Sequence, residues 1–299
     1  MENLLSMSRQ NPHHNLESGK PVLSIVVPSY NSGRFITRCL VSVFRELANP
    51  HDVEVIVVDN LSTDQTEETL RTFSSPNLVV IRERDNGQSD ALNKGFAVAK
   101  GEWLCWLNAD DEFVPGALPY VIAALRSADH VNWMSGSMVW MDVDGMIVRC
   151  APNMPAGALL RGLGIANVGG PSSFFRDSLL QRAGEFATNL HFCMDTEMWY
   201  RFQRLGERCL PIGAYVWAFR VHEHSKTSHV VLTAKRSPEM TAELDLMTNQ
   251  YMSPLSRYCS PLAPWIWRAK GILSGRDWKA FRDTRRYGGR RLEEMTATG

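Results

Sequence analysis

The stretch "GEWLCWLNADDEF", Gly101 to Phe113, is an apolar run that stops abruptly on Asn108, Ala109, Asp110 and Asp111. "EWLCWLN" has the length and content of a buried β-strand, and the acids follow where such a strand would leave the core. The same sign recurs upstream. "VLSIVVPSY" from Val22 is a β-branched run ended by Pro28, "VEVIVVD" is a second such run and "NLVVIRE" a third. Helical patterns stand between them. Ile36, Leu40, Val43, Phe44 and Leu47 recur at helical spacing after a cap expected at Asn31 or Ser32, "STDQTEETLRTF" reads as a capped helix, and "SDALNKGFAVAKG" as a helix closed by Gly101. Strands alternating with helices predict a largely parallel sheet covered on both faces.

In such sheets ligands gather beyond the carboxyl ends of the strands, where loops and helix N-termini converge. Pro28, Tyr30 and Asn31 follow the first strand, Asp59 and Asn60 the second, Asp85 to Asp90 the third, and Asn108 to Asp111 the fourth. Asp110 and Asp111 are therefore expected at the mouth of the sheet, not in its core. Beyond Phe113 the pattern changes. "ALPYVIAALRS" reads as a helix, and "VNWMSGSMVWMDVDGMIVR" as two strands joined at the hairpin signal Asp144-Gly145. "GPSSFFRDSLLQRAGEF" and "DTEMWYRFQRLG" offer a strand and two helices, and "CLPIGAYVWAFRVH" a late strand. Antiparallel pairing is expected in this second part.

With 44% hydrophobic and 21% charged residues, the 299-residue chain can bury a large core. Its 32 basic and 32 acidic side chains cancel, which argues against a nucleic-acid partner. The cysteines at 39, 105, 150, 193, 209 and 259 form no CxxC pair, as expected in a reducing cytoplasm. The leader "MENLLSMSRQNPHHNLESGK" lacks the order of a signal peptide, and no run of about 18 apolar residues occurs, so neither export nor a membrane span is expected. His13 and His14 read as part of a disordered tail.

The acids after the fourth strand admit three readings. They cap a helix beginning near Pro115, or they are solvated loop charges, or Asp110 holds a hard divalent cation together with phosphate oxygens of a substrate. Company favours the third. Taken in order, "SIVVPSYNSGRFITRCLVSV", "EVIVVDNLSTDQT", "ERDNGQSDALNKGFAVAKGEWLCWLNADD", "GPSSFFRDSLLQRAGEF", "MDTEMWYRF" and "FRVHEHSKT" closely resemble the family 2 glycosyltransferases of the GT-A fold, over Val22 to Thr227.

The resemblance implies an α/β, GT-A-like fold. It has a mainly parallel central sheet flanked by helices, a smaller antiparallel acceptor-side portion and a helical C-terminal tail. It divides the chain into a flexible leader at 1–21, a catalytic domain at 22–230 and an extension at 231–299, with the nucleotide-sugar half of the domain at 22–113 and the acceptor-side half at 114–230. It also implies inverting transfer of a sugar from a nucleotide diphosphate to a saccharide or lipid-linked acceptor, in polysaccharide or glycolipid biosynthesis, with Mn²⁺ or Mg²⁺. Pro28, Tyr30 and Asp59 match the nucleoside pocket, and Asp90 matches the acid beside the ribose or diphosphate. Asn108-Ala109-Asp110 occupies the metal motif, with Asp110 on the cation and His222 placed to meet the metal or the diphosphate. Asp195 matches the catalytic base, although an Asp there also reads as a helix N-cap, and Glu197 is its rival. Two departures, Asn60 and Asn108 in place of acids, lower the negative charge and shift metal affinity toward the bound diphosphate. His224 reads as structural or solvated.

Trp103 and Trp106 read as core or inner pocket wall, and Trp140 and Trp199 as packing residues ahead of sugar-stacking platforms. From Ser253 onward ten Arg or Lys stand against four Asp or Glu, interleaved with Trp, Ile and Leu. That mixture suits either an anionic membrane surface, placing the protein at the inner face of a membrane, or a basic face packed on the domain by its aromatics. Two other functions compete. A nicotinamide-dependent oxidoreductase requires a GxGxxG turn that "VVPSYNSGRF" lacks. A catalytically silent nucleotide-sugar-binding or scaffolding protein would share every feature but turnover.

Overall fold

The computed structural model describes residues 19–47, 49–73, 75–153, 168–223, 225–226 and 236–298. Most of the leader, with His13 and His14, and His224 lie outside them.

Four parallel strands form the first half of the sheet: β1 (Leu23–Ser29), β2 (Val53–Asp59), β3 (Leu78–Arg82) and β4 (Trp103–Trp106), in the spatial order β3-β2-β1-β4. Alternation along each strand splits the core into two layers. Leu23, Ile25 and Val27 of β1 and Val53, Val55 and Val57 of β2 face one cluster. Val26, Ile56, Val58, Leu104 and Trp106 face the other. β1 and β2 are buried on both faces, which is why they read as continuous apolar runs rather than alternating ones.

Helix α1 (Ile36–Phe44) buries Ile36, Cys39, Leu40 and Val43 at the spacing the sequence predicted. Its cap is not at Asn31 or Ser32. Asn31 takes a left-handed φ of 48° and its Oδ1 accepts the Thr63 amide, while the Ser32 amide donates to Thr66 Oγ1. Both residues tie the β1 loop to the start of α2 (Thr66–Thr72), so α1 begins only after that loop has turned. Helix α3 (Gln88–Val98) likewise ends before Gly101. The Gly101 amide donates to Ser24 Oγ at 2.7 Å, and a Cβ there would stand 2.5 Å from the Ser24 nitrogen. This glycine serves close approach to β1, not helix termination.

After the two-residue β5 (Glu112–Phe113) and α4 (Ala117–Arg126), the sheet continues with β6 (Trp133–Met141), β7 (Ile147–Ala151), β8 (Ser173–Arg176) and β9 (Leu210–Arg220). β8 runs antiparallel to both β4 and β6 and so joins the halves; β7 pairs antiparallel with β6, and β5 with β9. The expected hairpin turns with Gly145 at φ 86°. One pair in this half, β6 with β9, is parallel, because α5 (Asp177–Ala183) and α6 (Met194–Arg204) intervene and return the chain in the same direction.

Trp199 on α6 is fully buried and stacks between Trp106 and Trp133, with ring centroids 6.0 and 5.1 Å away. It packs the core and cannot present a face to a sugar; truncating such a residue costs about 3–5 kcal/mol. Beyond residue 236 follow α7 (Pro238–Tyr251), α8 (Pro254–Cys259), α9 (Ala263–Leu273) and α10 (Arg276–Tyr287). The C-terminal residues Tyr287, Leu292, Met295 and Ala297 belong to the same core as β6 and β9. Backbone bonds secure them: the Tyr215 amide donates to the Ala297 carbonyl and the Ile147 amide to that of Arg290.

Candidate active site

A cavity of about 770 Å³ opens at the carboxyl ends of the parallel strands. The end of β1 and the loops after β1, β2, β3 and β4 supply Pro28, Tyr30, Asn60, Asp85 and Asp110 to its wall, where ligands of α/β sheets gather. From the other half of the sheet come Phe219, Val221, His222 and Lys226, and from the loop before α6 comes His191. Of the residues singled out in the sequence, Pro28, Tyr30, Asn108, Asp110 and His222 meet here; Asp59, Asp90 and Asp195 do not line the cavity.

Asp59 lies fully buried beneath the wall. Its carboxylate accepts the Ser62 amide at 3.1 Å and the Ser62 hydroxyl, and Arg82 Nε stands 3.4 Å away. It shapes the loop that presents Asn60, whose Oδ1 accepts the Asp85 amide at 3.0 Å. Burial raises the Asp85 carboxyl above its ordinary value, opposed by a bond from the Gly87 amide. Asp90 accepts from the Asn86 amide at 2.8 Å and thereby fixes the turn into α3. Ser29, in the same wall, has a buried Oγ with no hydrogen-bond partner among the described residues.

The acidic pair after β4 separates into two different groups. Asp110 faces the cavity, its Oδ2 lying 2.8 Å from His222 Nε2. Asp111, expected at the mouth, is instead completely buried. Its oxygens accept from the Arg220 amide at 2.8 Å, Trp217 Nε1 at 2.9 Å and Asn108 Nδ2 at 2.8 Å. Desolvation and the neighbouring Asp110 push its pKa well above the ordinary carboxylate value. Neither acid caps α4, because β5 and Gly116 separate them from that helix.

Arg220, wholly buried at the end of β9, holds this loop from below. Its Nε donates to the Asp110 carbonyl at 2.9 Å and its Nη1 to the Val143 carbonyl at 2.9 Å, while Nη2 pairs with Glu112. His222 follows two residues later, so one strand end both braces the Asp110 backbone and carries the imidazole that meets its side chain. A polar chain runs on from there: Lys226 Nζ donates to Gln88 Oε1 at 3.1 Å, and Gln88 Nε2 to Asn108 Oδ1 at 2.8 Å. Burial lowers the Lys226 pKa.

The second acidic pair sits in the first turn of α6. The N-cap of this helix is Cys193, so Asp195 is not its cap. Asp195 is half-buried; its Oδ1 accepts from the Thr196 amide at 2.6 Å, and its Oδ2 accepts nothing among the described residues. Burial raises its pKa, with the Thr196 bonds opposing. Glu197 is different. Arg201 donates to its Oε2 at 2.8 and 3.0 Å, and the Tyr251 hydroxyl donates to its Oε1. Both oxygens are engaged in structure. Glu243 of α7 braces the preceding loop, its two oxygens accepting the backbone amides of His191, Phe192 and Cys193 at 2.7, 2.8 and 3.0 Å.

Asp110 and His222 offer one carboxylate and one imidazole to a divalent cation, and no group of three His, Cys, Asp or Glu able to hold a metal occurs among the described residues. Such a pair suits Mg²⁺ or Mn²⁺ only when substrate oxygens complete the coordination. Trp140 does not line the cavity; the Arg149 guanidinium lies over its ring at 5.3 Å. Sequence reading missed Arg220, Gln88, Lys226 and Glu243. Lys226 had a local signal, four residues past His222 in "RVHEHSKT", whereas the partners of Arg220 and Glu243 lie far away in the chain.

Comparison with known proteins agrees with this architecture. The sequence pattern of the family described as Glycosyl transferase family 2 matches residues 24–204, more than half of the chain. An uncharacterized glycosyltransferase of Nostoc sp. is 33% identical over 38% of this chain. A PGL/p-HBAD biosynthesis glycosyltransferase of Mycobacterium bovis is 38% identical over 30% of it. The chain spans about a third of the length of these two curated relatives, 35% and 36% respectively. Among solved structures, S. aureus TarS 1-349 in complex with UDP-GlcNAc superposes with a TM-score of 0.58 at 23% identity, covering 76% of this chain and 65% of that one. A mannosyltransferase from Pyrobaculum calidifontis in complex with GDP-Man and Mn²⁺ does so with a TM-score of 0.52 at 19% identity, covering 85% and 76%. At these identities the likeness is one of fold.

Proposed function

The chain belongs to glycosyl transferase family 2, and from that premise we propose that it transfers a sugar from a nucleotide diphosphate to an acceptor hydroxyl with inversion at the anomeric carbon. The observation that carries the reading is the convergence of Asp110 and His222, 2.8 Å apart, on the wall of a cavity built from four strand ends. Pro28, Tyr30, Asn60 and Asp85 line the nucleoside end, with Ser29 Oγ as an unspent donor. Asp110 and His222 face the diphosphate and would hold a divalent cation beside it. When bound, that cation stabilises as a Lewis acid the negative charge that develops on the departing diphosphate.

The chain's own residues supply the rest. Lys226 and Arg34, both in the cavity wall, offset diphosphate charge. Gln88 and Asn108 link Lys226 to the buried Asp111 and so hold the wall in register with β9. Asp195 accepts the proton of the acceptor hydroxyl as its oxygen bonds to the anomeric carbon. The bond from that carbon to the diphosphate oxygen breaks on the opposite side, its electron pair leaving with the diphosphate, which inverts the centre. Glu197 is unsuited to this role because both its oxygens are engaged. The acceptor class is a saccharide or lipid-linked saccharide of polysaccharide or glycolipid biosynthesis.

The test is release of nucleoside diphosphate from UDP- and GDP-linked sugars in Mn²⁺, with and without candidate acceptors. Turnover that needs Asp195 and yields the inverted linkage is expected. Tight donor binding with no turnover on any acceptor would favour the silent binding protein instead.

A further inference from the structure

The last two helices present a surface that the fold itself does not use. α10 packs on β7 through Asp283, Thr284 and Tyr287: Asp283 accepts from the Tyr215 hydroxyl at 2.8 Å, and Thr284 Oγ1 accepts from the Cys150 amide at 3.0 Å. α9 packs against α10, with the Arg276 guanidinium over the Trp267 ring at 4.5 Å. The opposite sides of both helices are bare. Trp265 is 73% exposed and Ile272 63% on α9, Leu273 87% at the turn, and Trp278 68% and Phe281 56% on α10. Residues 265 and 272 are two helical turns apart and 278 and 281 nearly one, so each pair shares a helix face. Trp278 and Phe281 lie ring to ring at 5.8 Å.

The charge around these aromatics is mainly positive. Arg268, Arg282, Arg285 and Arg286 are exposed on the same helices, and the segment from Ser253 carries ten Arg or Lys against four Asp or Glu, in a chain whose 32 basic and 32 acidic residues balance only as a whole. Exposed tryptophans at this density are costly to leave in water, and interleaved arginines match a layer of lipid phosphates, with the indole rings seated at headgroup depth. No described helix is long and apolar enough to cross a bilayer. We propose that the outward faces of α9 and α10 dock this protein on the surface of an anionic lipid bilayer. Both readings of the tail in the sequence then hold at once, on opposite sides of the same helices: Asp283 and Tyr287 pack, while Trp265, Trp278 and the arginines meet lipid.

The experiment is co-sedimentation of the full chain with vesicles of phosphatidylcholine alone or of phosphatidylcholine with phosphatidylglycerol, at low and high salt. Point variants are needed because truncation would remove Tyr287, Leu292 and Met295 from the core. Partitioning is expected on the phosphatidylglycerol vesicles only and should weaken with salt. Each basic residue near such a surface contributes about fivefold in partitioning, so Arg268→Glu with Arg285→Glu should lower it by about 25-fold or more. Trp265→Ser with Trp278→Ser should lower it at least tenfold, with the far-UV circular dichroism and UDP-sugar titration of the wild type. Equal binding to neutral vesicles, or undiminished binding by both double variants, would overturn the proposal. A lipid-free dimer that the tryptophan variant dissociates would also overturn it, assigning the face to a second copy. Wild-type lipid selectivity and salt response decide the matter even if a variant folds poorly.

Discussion

Two acidic pairs, one after β4 and one at the head of α6, each combine an acid whose oxygens are engaged in structure with one less engaged among the described residues. After β4, Asp111 is buried and takes three hydrogen bonds from β9 and Asn108, while the Asp110 carboxylate meets only His222 among the described residues. At the head of α6, Glu197 is held by Arg201 and Tyr251, while Asp195 keeps one oxygen uncommitted among the described residues. The difference teaches that neighbouring carboxylates are sorted by where their lone pairs are already spent. An acid whose oxygens are all engaged holds the scaffold that aims its neighbour, and removing it costs stability. The neighbour, less engaged, is free to bind or to take a proton, and removing it costs activity.

The comparison breaks or holds on paired substitutions. The largest effect is expected at Asp195: Asp195→Asn should lower turnover by about 10²–10⁴ with unchanged thermal stability, the usual worth of a positioned base. A full-activity Asp195→Asn enzyme would move the base elsewhere. Next, Asp111→Ala should destabilise the protein by about 3 kcal/mol in urea melts, since it leaves the Arg220 amide and the Trp217 ring nitrogen buried and unpaired. An unchanged midpoint would show that Asp111 is not the brace described above. Glu197→Gln comes third, at about 1–2 kcal/mol of stability, because it weakens a charge-assisted pair with Arg201 while turnover per folded molecule persists. Loss of turnover with intact stability would exchange the roles within the α6 pair.

The smallest effect is in pH. Burial holds the Asp195 carboxyl above the ordinary value of 3.8, and the base role proposed for it requires the deprotonated form. The acid limb of kcat/KM should therefore fall at a pH above the usual carboxylate range, with activity rising as pH rises through it. A limb at the ordinary carboxylate value would mean that Asp195 is solvated when it works.

What the sequence disclosed and what it withheld follow the same division. β1 to β4 and the helices between them were legible because their periodicity is local, and with them the strand ends that build the cavity, down to Pro28, Tyr30, Asn108 and Asp110. The hairpin at Gly145 was legible for the same reason. The depth of Asp111 was not, since it depends on partners more than 100 residues away at Trp217 and Arg220. Nor was the state of Glu197, whose hydroxyl partner Tyr251 arrives from a later helix. Asn31 and Ser32 looked like helix caps because their residue types suit that task, but the β1 loop uses them to bind the start of α2. Trp199 reads in the sequence as a packing residue and is one, stacked between Trp106 and Trp133.

The most direct test is a calorimetric titration of UDP- and GDP-linked sugars into the wild type, Asp110→Ala and Asp195→Asn, each with and without Mn²⁺. The wild type and Asp195→Asn should bind one of the donors with matching, Mn²⁺-dependent affinity, and Asp110→Ala should lose that dependence while melting like the wild type. Unchanged Mn²⁺-dependent affinity in Asp110→Ala, or its loss in Asp195→Asn alone, would contradict the assignment of the exposed acids to donor and acceptor.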